Sequence, residues 1–220
     1  MSHVLTADGG TESLRVRIYD LDGRCVASHA EPYETKFMAG ARAEQNAEDW
    51  WSSLVTATQI CLKEANISGD AIDAMAYATT CCTVVALDKN GAPLRPALMW
   101  MDVRADKEAE AVLETGDQRL ILNGNGQGPV SAEWMIPKAL WLKRNEPKIF
   151  DDAVTICEYQ DYLTMRLTGE RCASLNNIGL RWHYANRDGG WASGIVEKLG
   201  MPDLLEKWPS RVAAPGEVVG

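Results

Sequence analysis

Residues 8–15 read Asp-Gly-Gly-Thr-Glu-Ser-Leu-Arg and combine side chains that bind phosphate and magnesium. Glycine has no Cβ, so backbone N–H groups at this position can approach an anion closely. Threonine and serine add hydroxyl donors, arginine adds a positive charge, and the aspartate can hold a hydrated Mg²⁺ that bridges phosphate oxygens. A plain hairpin turn would also use two glycines. The pattern therefore predicts either such a turn or a phosphate and Mg²⁺ site formed by Asp8, Gly10, Thr11, Ser13 and Arg15.

Residues 100–104, Trp-Met-Asp-Val-Arg, place an indole ring beside a carboxylate and a guanidinium. An aromatic face packs against the C–H faces of a polyol, while the charged groups fix its hydroxyls through charge-assisted hydrogen bonds. The alternative is a loop that enters a helix, with Asp102 as the N-cap and Trp100 in the core. Neither of the two segments decides between its alternatives by itself.

The six cysteines and three histidines do not have the spacing of a zinc site, because no two cysteines are arranged as C-x-x-C. A disulfide framework is not expected in a chain of this size without a secretory signal. We therefore predict reduced thiols that serve as small hydrophobic residues. The cysteines are Cys25, Cys61, Cys81, Cys82, Cys157 and Cys172.

Charge and hydropathy exclude several classes of protein. The 220 residues include 22 Lys and Arg against 31 Asp and Glu, which gives a net charge of −9. Nucleic acids and anionic membranes attract basic surfaces, so neither is an expected partner. No stretch approaches the ~18 consecutive apolar residues of a membrane span, and the start lacks the apolar run of a signal peptide. We expect a cytoplasmic protein.

The elements that position these segments follow from hydrophobic periodicity. Residues 14–21 alternate apolar and charged side chains, and Asp22-Gly23 then marks a hairpin turn into a strand at residues 25–28. This arrangement places residues 8–11 in the turn of a first hairpin. Residues 46–65 follow a helical period, with Asn46 as the N-cap.

Strands and helices alternate through the rest of the chain, which predicts an α/β domain with a mixed sheet. Residues 123–129 form a Gly-rich loop, and the tail at residues 215–220 has the pattern of a beginning strand. We expect strands at residues 72–80, 83–87 and 154–157, and a loop between Pro93 and Pro96 that leads into residues 97–100. Helices are expected at residues 104–113, around 139–143, around 162–167 and at 191–199.

Four segments, in one order, resemble a known protein family. Together they are similar to the amino-terminal domain of the FGGY carbohydrate kinases, and the resemblance runs from about residue 4 to the end. The segments are residues 8–15 (Asp-x-Gly-Thr-x-Ser-x-Arg), 43–51 (Ala-Glu-Gln-x-x-Glu-Asp-Trp-Trp), 96–105 (Pro-x-x-x-Trp-x-Asp-x-Arg-Ala) and 161–169 (Asp-Tyr-Leu-x-x-Arg-Leu-Thr-Gly).

The resemblance implies a ribonuclease H-like (actin-like ATPase) fold, with the active site in a cleft between two such domains. It implies ATP and Mg²⁺ as cofactors, bound at the turn of residues 8–15 with Asp8 as the metal ligand. It also implies that this turn and the Trp100–Asp102 pair face one crevice. The sugar would lie near Cys81, Cys82, Trp100, Asp102, Glu133 and Arg181.

Some details resemble the ribulokinase-like branch of pentulose and pentitol kinases. Residues 137–143, which follow Ser-Ala-Glu at 131–133, are similar to a segment before the substrate pocket in that branch. Residues 180–184 are similar to a Lys-Trp-Thr-Tyr segment, with arginine in place of the lysine. Glycerol kinases carry an Arg-Glu pair at about the position of residues 81–82. Because this pair is absent here, we expect a ketopentose of the ribulose or xylulose type, or a pentitol.

Two family features differ or have no counterpart in this sequence. Glu12 replaces a small polar residue, so either it points away from the phosphates or it lowers their affinity. The family's general base is an aspartate in a second Gly-rich motif, and neither Asp188 nor Asp203 has that setting. The resemblance thus implies that residues 1–220 are an incomplete amino-terminal substrate-binding domain. The base would lie beyond Gly220 and the second domain is missing.

Truncation of such a kinase predicts an inactive chain with exposed apolar surface, which would self-associate or be only marginally stable. Two alternatives to the kinase remain. A non-catalytic sugar-binding module would keep Trp100 and Asp102 without needing Asp8. An actin-like sugar sensor that uses ATP would need the Asp8 turn and tolerate the loss of Asp102.

Overall fold

The computed structural model describes residues 2–122 and 130–220 of the chain. The Gly-rich loop at residues 123–129 lies outside the described residues. The chain divides into two compact units. The first contains Met1–Thr35 and Asn46–Thr80, and the second contains Lys36–Gln45 and Cys81–Gly220.

The first unit is built on a mixed sheet with the strand order β3-β2-β1-β6. Strand β1 (His3–Gly9) pairs antiparallel with β2 (Ser13–Asp20) and parallel with β6 (Ile72–Thr79). Strand β3 (Cys25–Pro32) pairs antiparallel with β2 and completes the hairpins. The predicted alternation is confirmed, because Leu14, Val16 and Ile18 are all fully buried.

Helix α1 (Ala47–Ala65) packs against β2 and β3 in this unit. Its start is the predicted one, since the Asn46 side chain accepts a hydrogen bond from the Glu48 N–H. Its end is fixed by Asn66, which adopts the left-handed conformation with φ +55°. Trp50 is fully buried on the inner face of the helix.

The second unit contains a sheet with the strand order β4-β5-β8-β7-β9. Helix α3 crosses its core, and every residue from Met135 to Leu142 is buried. The strands of this unit are β4 (Lys36–Met38), β5 (Arg42–Gln45), β7 (Val84–Leu87), β8 (Ala97–Leu98), β9 (Thr155–Glu158) and the parallel pair β10 (Cys172–Ser174) and β11 (Arg211–Ala213). The helices are α2 (Asp106–Glu114), α3 (Met135–Asn145), α4 (Pro147–Asp152), α5 (Tyr159–Thr168), α6 (Leu175–Arg181), α7 (Ser193–Lys198) and α8 (Leu204–Lys207).

Three predicted boundaries are wrong at the ends of elements. Strand β1 continues through Gly9, so Asp8 lies in the strand and only residues 10–12 form the turn. Helix α2 begins at Asp106 rather than at residue 104, because the Asp102 carboxylate holds the Arg104 N–H outside the helix. Helix α7 covers Ser193–Lys198, which is shorter than the predicted 191–199, and Gly200 follows it with φ +67°.

The predicted strand at the tail is also wrong. Arg211–Ala213 forms the last strand instead, paired with Cys172–Ser174. The Glu217 carboxylate accepts hydrogen bonds from the Ala214 N–H and the Arg211 guanidinium. These bonds hold the following residues in a turn.

Among the described residues, no helix combines the length and the apolar character needed to cross a membrane.

Replacing Trp50 by alanine should lower the free energy of unfolding by about 3–5 kcal/mol, because it removes a fully buried indole. The neighbouring Trp51 is only partly buried and provides the matched control. Chemical denaturation of both variants measures the difference. Equal losses for Trp50→Ala and Trp51→Ala would contradict this packing of α1.

Candidate functional site

The first candidate region lies at the end of the β1–β2 hairpin. Asp8 and Arg15 are directly opposite each other across the antiparallel pair, and both are exposed. On its other side Asp8 neighbours Ala78 of β6. The structure thus places the predicted carboxylate and guanidinium side by side on an open sheet face.

Several hydrogen bonds hold the turn between these strands. The Gly10 N–H donates to the Ser13 carbonyl at 3.0 Å. The Tyr33 hydroxyl contacts the carbonyl oxygens of Gly10 and Ser13, and the Thr35 hydroxyl contacts that of Thr11. Carbonyl oxygens repel phosphate. Because the hydroxyls of Tyr33 and Thr35 bind these carbonyl oxygens, the repulsion between the turn and an anion is reduced.

The residues at this turn fit Mg²⁺ that arrives with a nucleotide. Mg²⁺ keeps several waters and usually binds through one or two carboxylates together with substrate phosphates. Asp8 supplies one exposed carboxylate of this kind. Within residues 2–122 and 130–220, no group of three or more His, Cys, Asp or Glu side chains could hold a metal ion alone.

The second candidate region is organised by a buried lysine. Lys138 of α3 is fully buried, and its ammonium donates to the carbonyls of Cys82 at 2.8 Å and Met99 at 2.6 Å. Burial lowers the pKa of this ammonium to about 8. Because Cys82 precedes β7 and Met99 follows β8, Lys138 joins the two segments that carry predicted sugar contacts.

A buried carboxylate holds the same region from the other side. Glu158, at the end of β9, accepts hydrogen bonds from the Cys82 N–H at 2.8 Å and the Trp182 indole N–H at 2.6 Å. The Asn177 amide also donates to it. The backbone of Cys82 is therefore fixed by Glu158 at its N–H and by Lys138 at its carbonyl.

Two acids at this position keep raised pKa values. Burial and then the charge of Asp161 raise the pKa of Glu158 to about 8. Burial raises the pKa of Asp161 to about 7, although it accepts hydrogen bonds from the backbone of Glu158 and Ser174. Burial thus favours the protonated form of both side chains.

Several of the predicted sugar-site residues meet around this scaffold. The Trp100 N–H donates to the Thr83 hydroxyl at 3.1 Å, and the Trp100 side chain is 37% exposed. The Arg181 guanidinium lies over the Trp134 ring, 5.2 Å from its centroid. Its positive charge also favours the thiolate of the nearby Cys81 and so lowers the pKa of that thiol. Glu133 is partly buried, and its negative charge favours the protonated form of Lys138. Trp100, Cys81, Cys82, Glu133 and Arg181 therefore share one neighbourhood.

Asp102 has a different environment from the predicted one. It is fully buried, and its two oxygens accept hydrogen bonds from the Ala43 N–H and from the backbone and guanidinium of Arg104. Burial opposes its ionisation, but these hydrogen bonds outweigh burial and lower the pKa of Asp102. The alternative prediction, Asp102 as a helix N-cap, is wrong, since Ala105 holds that position. Asp102 instead fixes the loop that presents Trp100.

Lys138, Glu158 and Thr83 are the residues of this region that sequence reasoning missed. A lysine inside an otherwise apolar helical run is a usable signal for Lys138, because a buried ammonium requires acceptors. A surface cleft of about 650 Å³ lies elsewhere in the second unit, next to Arg104 and Trp141. Its lining contains none of the predicted sugar contacts.

Comparison with known proteins identifies the family. Residues 3–219 match the N-terminal domain of the FGGY family of carbohydrate kinases. The chain belongs to this family. The resemblance seen in the four sequence segments is thereby confirmed.

Among curated relatives of this FGGY chain, a xylulose kinase from Streptomyces rubiginosus is 31% identical over 223 residues, which cover 99% of the chain and 44% of the relative. A D-ribulokinase from Saccharomyces cerevisiae is 26% identical over 215 residues, which cover 90% of the chain and 30% of the relative. The chain thus spans less than half the length of these relatives.

A solved structure has the same fold. Ligand-bound xylulose kinase from Lactobacillus acidophilus superposes with a TM-score of 0.86 at 20% identity, covering 100% of this chain and 44% of that one. The predicted α/β fold of the ribonuclease H-like, actin-like ATPase class is confirmed.

Replacing Lys138 by methionine should lower the free energy of unfolding by about 1–3 kcal/mol, because two buried carbonyls lose their donor. Lys143 lies on the same helix and pairs with the partly exposed Asp203, so Lys143→Met should cost less than about 1 kcal/mol. Urea denaturation with amide exchange at residues 82 and 99–102 measures both effects. Equal protection of these amides in the two variants would contradict the scaffold role.

The buried acids should make stability fall as the pH rises. Glu158 and Asp161 bind protons more tightly in the folded chain, so their stabilisation is complete below about pH 4 and is lost as the pH rises through 7 to 8. Each proton contributes a slope of up to about 1.4 kcal/mol per pH unit. Denaturation between pH 5 and 7.5 should therefore give a shallower slope for Asp161→Asn than for the wild type. The exposed Asp151→Asn serves as control, and identical slopes in all three would contradict the assignment.

Proposed function

We propose that this chain is the amino-terminal, sugar-binding part of an ATP-dependent kinase that phosphorylates a ketopentose of the ribulose or xylulose type, or a pentitol. The match of residues 3–219 to the FGGY family carries the proposal. The names of two relatives, xylulose kinase and D-ribulokinase, favour a five-carbon substrate.

In this proposal the sugar binds beside Trp100, whose partly exposed indole can cover the C–H face of a pentose. Glu133 and Arg181 supply a carboxylate and a guanidinium for its hydroxyls. Cys81 and Cys82 form the wall that in glycerol kinases is an Arg-Glu pair, so a smaller and less polar contact replaces two charges. Asp102 acts as a positioning residue through Ala43 and Arg104.

ATP and Mg²⁺ bind at the other candidate region in this proposal. Asp8 would hold the hydrated metal, Arg15 would face the phosphate charge, and Gly10, Thr11 and Ser13 would supply backbone and hydroxyl donors. When bound, Mg²⁺ would neutralise the negative charge that develops on the phosphate oxygens during phosphoryl transfer. The exposed positions of Asp8 and Arg15 on neighbouring strands support this placement.

Further groups complete the reaction in the whole protein. Phosphoryl transfer needs a base on the attacking hydroxyl and exclusion of water by closure. We assign the base to an aspartate outside residues 1–220 and closure to a second domain. The relatives, of which this chain covers less than half, have the length for both.

The protein in its full natural length should release ADP when given ATP, Mg²⁺ and one member of a panel of ketopentoses and pentitols, with glycerol as the negative control.

Trp100→Ala should raise the KM for the sugar about tenfold, equivalent to ~1.4 kcal/mol, and leave the KM for ATP unchanged. Asp8→Asn should lower kcat by about 100-fold or more, while Asp73→Asn on the exposed part of β6 should not.

The outcome also separates the alternatives. Sugar binding by calorimetry with no ADP release would favour the non-catalytic sugar-binding module. ATP turnover that survives the Trp100→Ala change and needs no sugar would favour the sugar sensor.

A further inference from the structure

Two adjacent cysteines at the predicted sugar site have their sulfur atoms close together. The Sγ atoms of Cys81 and Cys82 are 3.7 Å apart. Cys82 is 5% exposed, whereas Cys81 is accessible to solvent in part. One thiol can therefore meet a solute, and the other is a buried neighbour.

The backbone at this pair is held in an unusual conformation. Cys82 has φ +64°, in the left-handed region that residues with a β-carbon seldom adopt. It is kept there by Glu158, which accepts its N–H, and by Lys138, which donates to its carbonyl. Such conformations persist where surrounding contacts fix them, and they cluster at functional sites.

The charges around the pair give the two thiols different reactivity. The hydrogen bond from the Cys82 thiol lowers the pKa of Cys81 to about 6, and the positive charges of Arg181 and Lys138 act in the same direction. The same contact and burial raise the pKa of Cys82. Reactive redox cysteines have this combination of an accessible thiolate and a neighbouring resolving thiol.

We propose that Cys81 and Cys82 form a reversible dithiol–disulfide pair, with Cys81 as the thiol that reacts with a peroxide and Cys82 as the resolving thiol. The Cys81 thiolate attacks one oxygen of hydrogen peroxide, the O–O bond breaks, and the departing hydroxide takes up a proton to become water. The Cys82 sulfur then attacks the sulfenic acid, the S–O bond breaks, and its hydroxyl leaves with the Cys82 proton as a second water. The two sulfurs lose two electrons, which reduce the peroxide.

The disulfide between neighbours is expected to be easily reduced. Adjacent Cα atoms are about 3.8 Å apart, shorter than the roughly 4.4–6.8 Å that ordinary disulfides span, so the closed ring is strained. A dithiol reductant should reopen it. The consequence for binding rests on the proposed function. Closing the ring would displace the wall of the sugar site that Cys81 and Cys82 form, so oxidation should weaken sugar binding.

Mass spectrometry of the full-length protein after graded peroxide treatment tests the pair. Trypsin releases residues 64–89, which contain Cys81 and Cys82 and no other cysteine. We expect this peptide to lose two hydrogen atoms at peroxide levels that leave the exposed Cys25 reduced, and to regain them with dithiothreitol. Oxidation of Cys25 before the pair, or sulfinic acid at Cys81 without ring closure, would overturn the inference.

Variants separate the roles of the two thiols. Cys82→Ser should trap a sulfenic acid at Cys81 that dimedone labels, and Cys81→Ser should leave Cys82 unreacted. A labelled Cys82 in the second variant would contradict the assignment. The wild-type mass measurement stands if either variant fails to fold.

Kinetics of the oxidised protein then test the consequence. We expect the sugar KM to rise at least tenfold on oxidation and to recover with dithiothreitol, with Cys25→Ser behaving as the wild type. An unchanged KM with the disulfide present would overturn the effect on the sugar site. A disulfide that forms in a protein without sugar kinase activity would overturn the proposed function and support the redox pair.

Discussion

A buried ammonium group connects the two segments on which the second candidate region depends. Lys138 reaches from α3 to the carbonyls of Cys82 and Met99, and its side chain is fully buried. Burying a charge is costly unless acceptors surround it. The position of these two carbonyls is thus linked to the lysine, and displacement of either loop would cost the ammonium one of these two acceptors.

Glu158 holds the same residue at its other backbone group, because it accepts a hydrogen bond from the Cys82 N–H. Its side chain accepts hydrogen bonds from Cys82, which precedes β7, and from Asn177 and Trp182, which lie in α6 and at its C-terminal end. A lysine and a glutamate therefore hold the backbone on both sides of the Cα of Cys82, a residue in the left-handed conformation. The polar scaffold explains how a short connection can present two thiols and lie near an indole and a guanidinium without regular secondary structure.

The first candidate region depends on simpler physics. Strand pairing alone places Asp8 opposite Arg15, and a tyrosine and a threonine tie the carbonyls of the turn between them. No buried charge is needed, because both charged side chains stay exposed. The two candidate regions thus differ in kind, since one presents exposed charges on paired strands and the other rests on buried ones.

Local sequence determined the hairpins, the helix Ala47–Ala65 with its Asn46 cap, and the family, because alternation, capping and short motifs are properties of neighbouring residues. Only the tertiary structure decided the role of Asp102, whose carboxylate accepts a hydrogen bond from the N–H of Ala43, 59 residues earlier. The same holds for Lys138 and Glu158, whose partners lie 56 and 76 residues from them. Periodicity carries no information about such distant partners, since they are selected by packing of the whole unit.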